Sequence, residues 1–90
     1  MINKHDDFKE IAKEATEVGS LVTILKSETE TRERRLSAIK ELQRIQPDIF
    51  NGLKLDGEAV VGLDAAYTAY LANLKNVIAA KIIQARLEQK

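Results

Sequence analysis

Few side chains in this 90-residue chain have the type and spacing to do chemistry. His5, the single histidine, is followed by Asp6 and Asp7, a donor set that could hold a metal ion. The same residues also make an ordinary helix start, where carboxylates suit the partial positive charge of the helix N-terminus, and we read them so. Asp48, Asp56 and Glu58 lie among glycines and invite a calcium reading. However, Asp48 is followed by Ile49 and Phe50, and Asp56 with Glu58 lacks a third ligand, so the spacing of a calcium loop is absent. A turn is the better reading. The chain has no cysteine, which excludes disulfides and thiolate zinc sites. It also lacks an internal histidine, a G-x-S-x-G elbow and a phosphate-cradling glycine loop. The expectation is a protein that is not an enzyme and needs no metal or cofactor.

Two further groups could bind rather than react. Arg32, Arg34, Arg35, Lys40 and Arg44 could touch phosphates, but Glu28, Glu30, Glu33 and Glu41 are interleaved with them. Pairs such as Glu30 with Arg34 make the pattern a solvated helix face, so nucleic acid is not the expected partner. Tyr67 and Tyr70 could stack bases; at helical spacing amid alanine and leucine they read as core. The formal charge is zero overall, but residues 1–25 carry three Lys/Arg against five Asp/Glu and residues 26–46 carry six against four. That asymmetry favours docking of the first segment on the second over binding a polyanion.

These side chains must be positioned by helices. Phe8, Ile11, Ala15, Val18, Val22 and Leu25 step by threes and fours, a stripe that predicts a first helix over about 5–26. Gly19 inside it marks either a close crossing or a soft point, and a tolerated glycine is the plainer reading. Lys26 to Arg35 contains no apolar residue, so the stripe breaks there. Ser27 with Glu30 has capping-box form and Thr29 is an alternative cap, which predicts a turn and a second helix over about 30–46. Leu36, Ile39, Leu42 and Ile45 would face the core, and Pro47 would end the helix.

Residues 47–62 hold three of the four glycines and the only proline. Ile49, Phe50, Leu53, Leu55, Val60 and Val61 are too apolar for a solvated loop. We therefore expect a partly ordered connection that turns at Pro47–Phe50 and at Asp56-Gly57 and folds back over one end of the bundle. A third helix should run over about 63–89, carrying Leu63, Tyr67, Tyr70, Leu74 and Val77 in one row and Leu71, Ile78, Ile82 and Ala85 in another. Such a wide face asks for two partner helices.

The expected fold is all-α: an antiparallel helical hairpin plus a long third helix, three-helix-bundle-like, in a single module. Its packing residues are Val18, Val22, Leu25, Leu36, Ile39, Leu42, Tyr67, Tyr70, Leu71, Leu74 and Ile78. The longest uncharged run, Ala65 to Leu74, is half the ~20 residues a membrane span needs, so no span is expected. The third helix should outreach the second by ~15 Å. No stop signal follows it, which suggests a segment of a longer chain or a tail packed on a second copy, hence a homo-oligomer.

Three stretches, VGSLVTILKSETETRERRL, IKELQRIQPDIFNGLKLDGEAV and GLDAAYTAYLANLKNVIAAK, resemble internal helical segments of bacteriophage and prophage tail tape measure proteins. The resemblance covers about residues 15–85 and rests on four matches. These are Leu25-Lys26 closing an apolar helix, the polar stretch Ser27 to Arg35, the connection Pro47 to Leu53, and the pairs Ala66-Tyr67 and Ala69-Tyr70. It implies a helical structural role in a protein that sets tail length by its own length, with self-association and other tail proteins as partners. The implied location is the virion tail, or the bacterial cytoplasm during assembly. Tape measure proteins are far longer than 90 residues, so the resemblance also implies a fragment. It gives no residue a chemical role.

Overall fold

The first stripe forms a helix, α1 (Lys4–Lys26), and the chain then turns through residues 27–31. A computed structural model describes the backbone of residues 4–88 and the side chains of residues 8–84, 86 and 87; the His5, Asp6 and Asp7 side chains lie outside the described residues. The second helix, α2 (Arg32–Ile45), starts from Thr31, whose backbone is extended and whose hydroxyl accepts the Arg34 N–H at 3.2 Å. The cap is thus neither Ser27 nor Thr29, whose hydroxyls instead meet each other at 3.1 Å. Helix α2 stops before Gln46, where φ −139 and ψ 77 lie outside the helical region, which the following proline disfavours.

Pro47 opens a single helical turn, α3 (Pro47–Phe50), with proline at a position where its missing N–H costs nothing. The rest of the connection departs from the expected loop. Residues Lys54–Asp56 (β1) and Ala59–Val61 (β2) pair as an antiparallel ribbon, Leu55 opposite Val60. Between them Gly57 has φ +64 and no other residue type takes positive φ, the pattern of a II′ turn. In both strands the middle residue is half-buried and its neighbours are exposed, so Leu55 and Val60 turn inward together. Gly62, at φ +84, redirects the chain into α4 (Leu63–Glu88).

The core joins Val18, Val22 and Leu25 of α1, Ala38, Ile39 and Leu42 of α2, Phe50 and Leu53 of the connection, and Leu63 and Tyr70 of α4. Phe50 is fully buried, so the connection inserts into the core as a wedge. Gln43 holds that wedge by donating to the Phe50 and Leu53 carbonyls at 3.2 and 3.3 Å. Helix α4 packs chiefly on α1 and α3, while α2 packs on α1 and α3. Its second partner is therefore the wedge, not the second helix. The molecule is mostly helical with a long C-terminal helix, and it measures 55 × 19 × 18 Å.

Candidate interaction surface

Most residues expected to pack do lie at the core. Val18, Val22, Leu25, Ile39, Leu42 and Tyr70 are buried, and Tyr67 and Leu74 are half-buried against them. Ile78 is half-buried further along α4. Leu36 and Leu71 are corrections: they stand 38% and 45% exposed. Helical geometry gives the reason for Leu36, because at ~100° per residue it lies roughly 120° from Leu42 whereas Arg35 lies roughly 20° from it. Position 35, though charged, is the one that faces inward. Leu71 is turned away by the same arithmetic, one step round from Tyr70.

Arg35 is 8% exposed, and its guanidinium joins two distant parts of the chain. Nη1 donates to the Glu58 carbonyl at 2.7 Å, and Nη2 donates to the Ser27 carbonyl. The α1–α2 link and the tip of the hairpin are thereby tied to one side chain. Arg32 adds a bond to the Gly57 carbonyl at 3.3 Å. The two arginines line a cleft of about 330 Å³ with Glu28, Glu30, Leu55, Gly57 and Glu58. Three carboxylates around two already committed guanidinium groups leave little for an anion there. Arg34 pairs with Glu30 at 2.9 Å, and Arg44 donates to Glu41 at 2.8 Å through Nε. That bond holds the Glu41 carboxyl below its usual range, chiefly by hydrogen bonding. Both groups are open to solvent, where such pairs contribute little. All four arginines of α2 are thus engaged within the chain. Among the described residues no group of three or more His, Cys, Asp or Glu could hold a metal ion.

The aromatic cluster is equally committed to structure. Tyr70 meets Phe50 at 5.9 Å between ring centroids and stacks on Tyr67 at 6.5 Å, while Lys26 lies 5.9 Å over the Tyr67 ring. Burial first, then the negative charge of Glu14 and the neighbouring Tyr67, push the Tyr70 hydroxyl up to about 12. The Tyr67 hydroxyl lies 3.8 Å from where a Cβ on Gly19 would stand, so this glycine is at an ordinary contact distance.

Among the described residues, exposed apolar side chains gather on the second half of α4. Val77, Ile82, Ile83 and Leu87 are exposed there, Ile83 by 58% and Leu87 by 64%. At ~100° per residue, Leu71, Ile78 and Ile82 make one row, Ile83 and Leu87 another, and Arg86 falls between them. Lys75, Lys81 and Arg86 are the charged residues from Lys75 to Leu87, and no carboxylate interrupts them. No helix among the described residues is long and apolar enough to cross a membrane. Comparison of the chain with protein-family models, curated proteins and solved structures finds no match.

Proposed function

We propose that this chain is a non-enzymatic structural module that works by helix packing against other protein chains, in the setting of a phage tail tape measure protein. The observation that carries the assembly reading is the uncovered apolar half of α4. The setting rests on the resemblance of Leu25 to Arg35, Pro47 to Leu53 and the two Ala-Tyr pairs to that family. In that role the module supplies helical packing within a protein that sets tail length, its partners being copies of itself and other tail proteins. It would act in the virion tail, and in the bacterial cytoplasm during assembly.

Gene context tests the setting. An open reading frame continuing well past Lys90 among tail genes supports it. A stop codon beside unrelated genes would favour the second reading, a free-standing helical adaptor whose α4 docks on an unrelated protein. Both readings draw on the same exposed surface, so context is what separates them.

A further inference from the structure

The β1–β2 hairpin is pinched at its base and held at its tip by two side chains. At the base the Gly52 carbonyl lies 3.7 Å from where a Cβ on Gly62 would stand, and Leu53 and Leu63 are buried on the two flanks. Residues 54–62 therefore leave and re-enter the fold at one place, as a flap does. Its inner side is Leu55 and Val60, half-buried against the core. Its tip, residues 56–59, is exposed. Two spaces of about 330 and 500 Å³ lie between the tip and the α1–α2 link, both lined by Glu28, Arg35 and Glu58. Bonds from Arg35 and Arg32 to the Glu58 and Gly57 carbonyls join the tip to α2 there.

Arg35 is a clasp with a built-in weakness. A buried guanidinium is ordinarily paired with a carboxylate, which matches both its fork and its charge. Here Nη1 and Nη2 go to main-chain carbonyls, of Glu58 in the flap and Ser27 in the link, and Nε is buried without a hydrogen-bond partner. Among the described residues no carboxylate forms an ion pair with it. The closed form thus keeps from water a charge and a donor that opening would hydrate, which narrows the gap between closed and open. The ribbon adds little resistance of its own, since an isolated pair of three-residue strands is marginal in water. One planar group bonds both carbonyls. When the tip leaves, the guanidinium is hydrated and free to turn, and its bond to the Ser27 carbonyl is released with it.

We propose that the flap and the α1–α2 link are one opening unit with Arg35 as its clasp. Residues 54–61 lift and melt locally, Leu55 and Val60 enter water, and the link loosens in the same event while the helices stay packed. The fold then carries a switchable cover over part of its core. Whatever favours the lifted flap also loosens the bend between α1 and α2, and the reverse holds by linkage. The device does not involve the exposed half of α4, so it stands apart from the assembly reading.

Native-state hydrogen exchange of the full chain, followed residue by residue by NMR, tests this. Ser27 donates its amide proton to the Ile24 carbonyl at 3.2 Å and reports on the link. Val60 lines neither space beside Arg35, so Val60→Ala weakens the flap without touching the clasp. It should speed exchange of the protected ribbon amides and of Ser27 by the same factor, roughly fivefold, and leave the amides of α1 around Val18 unchanged. In an Arg35→Met background the ribbon should still respond to Val60→Ala, and Ser27 should not. If Arg35→Met does not fold, Arg35→Lys replaces it, because lysine keeps the charge but has no planar fork to bond both carbonyls. A Ser27 amide that ignores Val60→Ala in the parent, a ribbon that exchanges only when the whole molecule unfolds, or coupling that survives loss of the Arg35 fork would each overturn the proposal.

Discussion

The two halves of α4 are made from the same kinds of residue, yet one is a core element and the other is not. From Leu63 to Leu74 the inward row meets Phe50, Leu53 and α1, and Tyr70 is almost wholly buried. From Ile78 to Leu87 the isoleucines are as apolar, but Ile82 is exposed and Ile83 and Leu87 face solvent. What separates core from surface along this helix is therefore the reach of its neighbours, since hydrophobic burial depends on apolar area removed from water and not on the residue alone.

Tyr70→Asp should break the first half hardest. A carboxylate placed between Phe50 and Tyr67 with Glu14 nearby would be buried without a partner, so a loss of roughly 3 kcal/mol or more is expected, read as a large drop in melting midpoint. A parent-like melt would mean that the covered half is not core. Arg35→Met should loosen the hairpin cover by removing the bonds to Ser27 and Glu58, at a cost of about 1–2 kcal/mol in denaturant unfolding. The α4 tail should be indifferent to it.

Smaller effects sharpen the contrast. Gly19→Ala lies in a helix interior at an ordinary distance from Tyr67, so it should stabilise by about 0.5–1 kcal/mol; a loss would mean that the α1–α4 crossing is closer than it stands. Alkaline pH probes the same contact. The Tyr70 hydroxyl is held at about 12, against about 10 when unfolded, so the folded form binds the proton more tightly between those values. Stability should therefore be unaffected by this group below pH ~10 and fall as pH rises from there to ~12, seen as phenolate absorbance appearing together with loss of helicity. Ile83→Ser should change the dilute chain's stability by less than about 0.5 kcal/mol, measured where no association occurs. A loss of several times that size would place Ile83 in the core and erase the difference between the halves.

Much of this is readable in the residues, and the misses have physical causes. The stripe from Val18 to Leu25 and the stop before Pro47 follow from periodicity and proline sterics. Thr31 went unrecognised as the cap because Ser27 and Glu30 offer a fuller motif, while the actual cap is a lone hydroxyl one residue before the helix. Leu36 reads as the inward position and Arg35 does not, because charge argues against burial. The phase of Ala38, Ile39 and Leu42 nevertheless points at position 35, and the carbonyls that accept its protons come from residues 8 and 23 positions away. The turn at Asp56-Gly57 is visible in the residue types, but strands of three residues are too short to show an alternation. The exposed half of α4 was legible as a surplus of apolar rows. The point at which α2 stops, abreast of Glu14, was not.

The uncovered half of α4 also bears on when that helix is a helix. An isolated helical segment shorter than ~12–15 residues is marginal in water, and the stretch from Ile78 onward is shorter than that and has little tertiary packing. Its backbone bonds lean on continuity with the packed half of the same helix. A partner that covered Ile82, Ile83 and Leu87 would add packing to a helix whose backbone bonds are already made.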